Sequence, residues 1–168
     1  MRSPCADVAG VAIRRARSTD AGRLTAIAHA AKRHWRYPAR WIRLWRDDLT
    51  VRPAFIRTHP VYCAVRDGDI VGFYALSGSG SEHELEHMWI DPDHMGSRIG
   101  SALFGHALAT VRSRRGRRLT IAADPNAEGF YRALGARRIG EIASRPAGRV
   151  LPLLRVELRK TRKKNGHG

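Results

Sequence analysis

Residues 83–87 read HELEH, which matches the H-E-x-x-H pattern in which two histidines of one helix bind zinc. Zinc binding requires a helix, because on a strand His83 and His87 would lie about 13 Å apart, too far to share one ion. Pro92 stops the segment soon afterwards, and Ile90 and Asp93 stand where the extended zinc pattern has glycine and histidine. We therefore expect a strand and no bound metal, and a zinc hydrolase is kept only as a third interpretation.

A second candidate site is the glycine-containing stretch DPDHMGSRIGSALFGHAL at 91–108. Gly96 and Gly100 flank a turn between a predicted strand and a predicted helix. The N-terminus of a helix offers unpaired N–H groups and a partial positive charge, so it suits a phosphate. Two glycines also serve an ordinary turn or close helix packing, so the anion site depends on this strand–turn–helix context.

The elements that would position these residues follow from periodicity and turn signals. Strands are predicted at 11–17, 61–65, 70–76, 84–90, 118–123, 137–143 and 150–158, and helices after STD (18–20), at 97–114 and at 127–134. Asp67-Gly68 suits a hairpin turn, and 77–81 is expected to be a turn or loop. Asn126 is a candidate N-cap, and Gly135 is a helix stop. This order predicts an α/β (mixed α+β) domain with helices on both faces of one sheet.

Two segments resemble motifs of the GNAT superfamily of acetyl-CoA-dependent N-acetyltransferases. The stretch from the strand through IDP to MGSRIG and its long helix is similar to motif A, and DPNAEGFYRALGARRIGE is similar to motif B. AIRRARSTDAGRLTAIA and RDGDIVGFYAL look like that superfamily's first strand and helix and its second and third strands. The resemblance covers 12–158 and implies a mixed, mostly antiparallel sheet of about six or seven strands with about four helices.

The resemblance also implies where acetyl-CoA binds, with no metal. Its pyrophosphate would rest on the loop and the helix N-terminus, and its pantetheine arm would pair with the preceding strand. The implied residues are Met88, Trp89, Ile90, Met95, Gly96, Ser97, Arg98, Ile99, Gly100, Ser101, Asn126 and Tyr131. Met95 and Arg98 depart from the usual Gln or Arg and Gly, and Arg98 either binds phosphate with its guanidinium or points to solvent.

The implied mechanism is direct attack of an amine on the thioester. Glu86 is the first candidate for the base and Glu84 the second, with His87 as a rival, because their strand faces the acceptor cleft in the superfamily. A backbone N–H near 88–90 would stabilise the oxyanion. Tyr131 matches the tyrosine that protonates the sulfur, and its hydroxyl (pKa about 10) can donate to a thiolate (pKa about 8.5). The structural alternatives are a solvated strand face and an aromatic packed beside Phe130.

Acceptor recognition is expected from the aromatic segment HWRYPARWIRLW. Its residues His34, Trp35, Tyr37 and Trp41 would contact the amine, for which an aromatic wall offers cation–π attraction. The same side chains also suit a helix core, with Trp41 and Trp45 on one face.

The net charge of +16 attracts anions. It supports an alternative function, a catalytically weakened GNAT-fold module that binds RNA, the ribosome or another polyanion. Arginine in place of lysine on solvated faces would give the same charge without any partner. The expected partners are acetyl-CoA and a primary amine of a small molecule or protein. A homodimer is also considered, and nucleic acid belongs to the alternative.

One domain is expected at 11–158, with a flexible lead at 1–10 and a disordered basic tail at 159–168. No apolar run approaches the roughly 18 residues of a membrane helix, and the N-terminus lacks a signal-peptide pattern, so the cytoplasm is the expected location. Two cysteines form no disulfide framework and are expected to be reduced thiols.

Overall fold

A computed structural model describes residues 8–159. The strands are β1 Val11–Arg15, β2 Val61–Arg66, β3 Asp69–Ser79, β4 Glu82–Ile90, β5 Arg118–Ala122, β6 Arg137–Ala143 and β7 Val150–Glu157. The helices are α1 Ala21–His34, α2 Ala39–Leu44, α3 Pro53–Thr58, α4 Ile99–Ser113 and α5 Glu128–Ala133. The predicted lead at 1–10 and the predicted tail at 159–168 lie outside the described residues, apart from residues 8–10 and 159.

All seven strands form one sheet in the order β1-β2-β3-β4-β5-β7-β6. Neighbouring strands are antiparallel except β4 and β5, which are parallel. The predicted mixed, mostly antiparallel sheet is confirmed, and five α-helices are described where about four were predicted. The β2–β3 hairpin turns at Asp67 and Gly68, whose φ values of 50° and 81° are those a two-residue type I′ turn requires.

The β3–β4 hairpin corrects one prediction, because the segment 77–81 is not a loop throughout. β3 continues to Ser79, and β4 begins at Glu82. Gly78 pairs with His83 at φ 96°, and a Cβ at Gly78 would lie 2.4 Å from the Glu82 carbonyl oxygen. Glycine here therefore permits close strand pairing, which composition alone does not distinguish from a loop.

The sheet separates two hydrophobic cores, because successive side chains of a strand point to opposite faces. Phe73 is fully buried with α1 and α3 on one face. The next residue, Tyr74, is fully buried with α4 and α5 on the other. Helix α4 begins at Ile99 rather than at the predicted 97, and Ile99 and Leu103 lie in the second core. No helix in the described part of the chain is long and apolar enough to cross a membrane.

Candidate active site

A cleft opens where β4 and β5 separate. The two strands pair only between Glu82–Glu84 and Arg118–Thr120, although β4 continues to Ile90. The β3–β4 register shifts between Ala75/His87 and Leu76/Leu85, so Glu86 is the extra residue of a β-bulge. The cavity between the separated strands has a volume of about 500 Å³. Such a split exposes backbone N–H and C=O groups of β4 along one wall of the cleft.

The HELEH segment is the strand β4, as predicted. His83 is 3% exposed, and its Nε2 lies 3.2 Å from the Gly80 carbonyl oxygen. Four residues of extended backbone separate it from His87, which excludes one shared ion. Within residues 8–159, no group of three or more His, Cys, Asp or Glu side chains is arranged to hold a metal.

Residues 91–98, which connect β4 to α4 and are called the glycine loop, line one end of the cleft at the start of α4. Gly96 has φ 81°, and Arg98, the N-cap residue of α4, has φ 64° and ψ 9°. Arg98 thus keeps the left-handed backbone that the usual glycine favours, at a cost of roughly 1–2 kcal/mol. Ser97 Oγ donates to the His94 carbonyl oxygen at 2.5 Å, which ties the loop together. Gly100 has a packing role, since a Cβ there would lie 3.2 Å from the Phe130 ring.

Tyr131 of α5 belongs to the lining of this cleft. It is 6% exposed and packs its ring against Phe104 and Phe130, with centroid distances of 5.4 and 5.1 Å. Burial raises the pKa of Tyr131 above its ordinary value, and the charge of Asp124 raises it further. The hydroxyl therefore keeps its proton at neutral pH and can serve as a hydrogen-bond donor.

The candidate bases on β4 lie in different surroundings. Glu86 is exposed at the cleft, and its Oε1 accepts a hydrogen bond from Ser77 Oγ at 2.5 Å. His87 accepts a hydrogen bond at Nδ1 from Trp89 Nε1 at 3.1 Å. Since an indole N–H only donates, His87 has its proton on Nε2 and its one lone pair in use. Burial also lowers the pKa of His87.

Comparisons with known proteins identify the family. A sequence model described as the Acetyltransferase (GNAT) family matches residues 23–136. The chain belongs to the GNAT acetyltransferase family. The predicted enzyme class, acetyl-CoA-dependent N-acetyltransferase, is thereby confirmed.

Two curated relatives are both named peptidyl-lysine N-acetyltransferase YjaB. The protein from Salmonella typhimurium is 34% identical over 106 residues, 61% of this chain and 67% of that protein. The Escherichia coli protein is 31% identical over 107 residues, again 61% and 67% of the two chains.

Solved structures show the same fold at low sequence identity. A GCN5-related N-acetyltransferase from Rhodopseudomonas palustris superposes with a TM-score of 0.75 at 22% identity, over 88% of this chain and 95% of that one. The PaiA N-acetyltransferase from Thermoplasma acidophilum, solved with coenzyme A, gives a TM-score of 0.70 at 14% identity, over 88% and 98%.

Most of the residues singled out from the sequence meet in the cleft of this GNAT domain. Those lining it are Trp35, Glu86, Met88, Trp89, Ile90, Met95, Gly96, Arg98, Ile99, Gly100, Ser101, Asn126 and Tyr131. The others are not among the lining residues, and they are Glu84, His87, Ser97, His34, Tyr37 and Trp41. Their assigned roles in binding and catalysis stay predictions.

Asn126 is not the N-cap that the sequence suggested. The N-cap residue of α5 is Ala127, and Asp124 caps the preceding 3-10 turn Pro125–Ala127, where its side chain accepts from the Asn126 backbone N–H. The Asn126 side chain instead donates to Asp124 Oδ1 at 3.0 Å and to Tyr37 Oη at 3.1 Å. The D-P-N sequence fits either capping residue, and tertiary contacts decide between them.

Asp124 is the cleft residue that sequence reasoning missed, together with its partner Lys32. Lys32 Nζ lies 2.5 Å from Asp124 Oδ2, and each side chain is 8% exposed. Tyr37 Oη donates to Asp124 at 2.9 Å, and Arg149 Nη2 lies 3.6 Å away. Burial alone would raise the pKa of Asp124, but these partners and the Asn126 N–H hold it below its ordinary range. Burial lowers the pKa of Lys32, and Asp124 opposes that shift.

The aromatic wall predicted for an acceptor amine already holds two cations of the chain itself. Tyr37 and Trp41 pack with Trp45, which is 5% exposed. Lys32 Nζ lies 4.4 Å from the Trp45 ring centroid, and the Arg149 guanidinium carbon lies 4.5 Å from it. A signal was present in the sequence: Lys32 is one of only four lysines in an arginine-rich chain, and it lies beside Ala28 and Ala31 on the apolar face of a helix.

Proposed function

We propose that this GNAT enzyme transfers an acetyl group from acetyl-CoA to the side-chain amine of a protein lysine. The observation that carries the proposal is the cleft between β4 and β5, which joins the glycine loop, Glu86 and Tyr131 in one cavity. The acceptor class rests on the two relatives named peptidyl-lysine N-acetyltransferase. Glu86 as base and Tyr131 as acid are part of this proposal.

The residues of the cleft fit acetyl-CoA. The first turn of α4 supplies N–H groups at Ile99, Gly100 and Ser101, none of which has an acceptor within the helix. Gly96 is exposed, and a side chain there would meet no neighbour, so the loop is open to a phosphate. Deeper in, Ile121 adds to an apolar lining suited to the pantetheine arm. Bound there, acetyl-CoA supplies an acetyl group activated as a thioester.

Glu86 and Tyr131 would divide the proton transfers between them. Glu86, oriented by Ser77, accepts a proton from the acceptor ammonium, directly or through water. The free nitrogen bonds to the acetyl carbon, the carbon–sulfur bond breaks, and its electron pair goes to sulfur. Tyr131 donates its proton to that sulfur, and the second proton that the nitrogen loses as the amide forms returns through water to the tyrosinate. His87 does not serve as the base in this geometry, because its lone pair accepts the Trp89 N–H.

The test is thiol release from acetyl-CoA with a lysine-containing peptide, comparing Glu86→Gln with Glu84→Gln. The matched control is also an exposed β4 carboxylate, two residues away and outside the described cleft lining. We expect Glu86→Gln to lower kcat at least about 100-fold and Glu84→Gln to change it less than about twofold. A larger loss in the Glu84 variant would move the base to Glu84, and no loss in either would reject a β4 carboxylate base.

Thermal stabilisation by ligands separates this function from the polyanion-binding alternative. Acetyl-CoA at 100 times its Kd is expected to stabilise the domain by roughly 2.7 kcal/mol. ADP and heparin serve as anionic controls, because a protein with a net charge of +16 attracts any polyanion. Stabilisation by heparin without a response to acetyl-CoA, and without turnover, would favour the RNA- or ribosome-binding module.

A further inference from the structure

A second cavity, of about 470 Å³, lies between α1 and α2. We call it the arginine groove, and it is lined by His29, Arg33, Tyr37, Ala39, Ile42, Arg43 and Arg46. Arg33 follows His29 by one turn of α1, so both side chains lie on the same face of that helix. Arg43 in α2 and Arg46 just beyond it contribute the other cationic side chains, while Ile42 and Tyr37 supply partly buried apolar surface.

The arginine groove has three arginines in its lining that form no ion pair with a carboxylate of residues 8–159. Within residues 8–159, Arg33, Arg43 and Arg46 form no ion pair, and the groove lining contains no acidic residue. Burial lowers the pKa of His29, and the charges of Arg33 and Arg46 lower it further, as expected where the potential is positive. The nearby Asp48 pairs instead with Arg145, at 2.8 Å.

Other arginines of the described surface do meet carboxylates. Arg14 pairs with Asp20 at 2.9 Å, and Arg118 pairs with Glu82 at 2.7 Å. Arg112 and Arg114 also lack ion pairs among residues 8–159, so the groove differs in having three such arginines in the lining of one cavity. Three arginines that line one cavity without an ion pair among residues 8–159 favour an anionic ligand, because each guanidinium offers a planar fork of donors that matches a carboxylate.

The arginine groove meets the active-site cleft at Tyr37. This side chain lines the groove, and its hydroxyl contacts Asp124 and Asn126, which both line the cleft. Trp35, two residues earlier in the α1–α2 connection, lines the cleft directly. The two cavities therefore lie on either side of the Tyr37 side chain.

We propose that the arginine groove binds acidic side chains of a polypeptide acceptor that flank its reactive lysine. This inference rests on the proposed function and adds a sequence preference to it. A cavity of this volume, with three arginines and the apolar Ile42 in its lining, suits one or two carboxylate side chains. A polynucleotide would need a row of phosphate contacts along a surface rather than convergence on one cavity.

The test compares two peptides that differ only beside the lysine, one with Glu and Asp and the other with Gln and Asn. The full chain is assayed with both peptides and with a small primary amine. We expect a preference of about tenfold or more in kcat/KM for the acidic peptide, expressed in KM, since one good charge-assisted hydrogen bond is worth that much. Arg43→Gln/Arg46→Gln is expected to abolish the preference and to leave the Gln/Asn peptide unaffected.

The matched control variant is Arg112→Gln/Arg114→Gln, which removes the same charge at the end of α4 from exposed residues without ion pairs among residues 8–159. It is expected to keep the preference for the acidic peptide. Equal losses in the two double variants would show a general charge effect and overturn the assignment to the groove. Unfolding curves of both variants confirm that neither has lost its fold.

Direct binding separates failure of the groove from failure of the proposed function. A fluorescent acidic peptide whose lysine is already acetylated is titrated with each variant, and weaker binding only in Arg43→Gln/Arg46→Gln supports the groove even if no amine is acetylated. Acetylation of amines without any acidic preference would overturn the groove and leave the function standing. Tighter binding of a single-stranded RNA, lost in the same variant, would overturn the peptide assignment.

Discussion

Replacing Asp124 with asparagine tests the buried ion pair most directly. The change keeps the shape of the side chain but leaves the Lys32 ammonium, in a residue that is 7% exposed, without a counterion. Removing one partner of a buried pair costs about 3–5 kcal/mol. In a domain of this size each kcal/mol shifts Tm by about 2–4 °C, so a fall of roughly 6–20 °C is expected.

The double variant Lys32→Met/Asp124→Asn shows whether the uncompensated charge is the cause. It removes both charges and is expected to be more stable than Asp124→Asn alone, with a coupling of at least about 2 kcal/mol. Urea unfolding followed by tryptophan fluorescence measures this, since Trp45 contacts Lys32. The control Asp48→Asn breaks an exposed pair with Arg145 and is expected to change stability by less than about 1 kcal/mol.

Two outcomes would refute this reasoning. A loss below about 1 kcal/mol in Asp124→Asn would show that water or neighbouring groups reach the ammonium, against its observed burial. A double variant as unstable as the sum of the two single variants would show that the charges act independently. Because the pKa of Asp124 is lowered in the folded state, its stabilisation is present at neutral pH and is lost in acid as pH falls through that lowered pKa. Asp124→Asn lacks this component of the acid dependence.

Four further predictions follow from single positions. Tyr131→Phe is expected to change the acetyl-CoA affinity, measured by calorimetry, less than about twofold and to lower kcat, measured by thiol release, at least about tenfold. Full activity in this variant would exclude Tyr131 as the acid. Gly100→Asp is expected to weaken acetyl-CoA binding at least about tenfold, because it adds a carboxylate at the start of α4 and a Cβ against Phe130. An unchanged affinity would contradict the assignment of this loop to the phosphates. Gly78→Ala is expected to lower the free energy of unfolding in urea by at least about 2 kcal/mol, since its Cβ would overlap the facing backbone of β4. An unchanged stability would contradict the close pairing of the hairpin. Cys63 is fully buried, and burial raises its pKa to about 12. A thiol reagent at pH 8 is therefore expected to modify Cys63 only after unfolding, and rapid labelling of the native protein would contradict its burial.

The fold was readable because each local signal has one main physical cause. The Asp67-Gly68 turn sets the β2–β3 hairpin, and the four-residue spacing from Ile99 to Leu103 places α4 against the sheet. The extension of β3 through Gly78 was not readable, because the same residues also suit a loop.

The sequence predicted the cleft lining where residues close together in the chain form it, as in the glycine loop and at Tyr131. It was not readable where distant segments meet. Asp124 is 92 residues from Lys32 and 25 residues from Arg149, and only the folded chain brings the three together. For the same reason the predicted acceptor wall was assigned to an external amine, although Lys32 lies against Trp45.

The placement of Lys32 also bears on whether the enzyme can modify itself. It is the one lysine within residues 8–159, its side chain is 8% exposed, and its ammonium is paired with Asp124. Elsewhere this surface carries arginine, whose guanidinium does not lose its proton and is a poor nucleophile. Residues 8–159 therefore present no exposed lysine to the active site of this N-acetyltransferase. We therefore expect any self-acetylation to fall on amines outside residues 8–159.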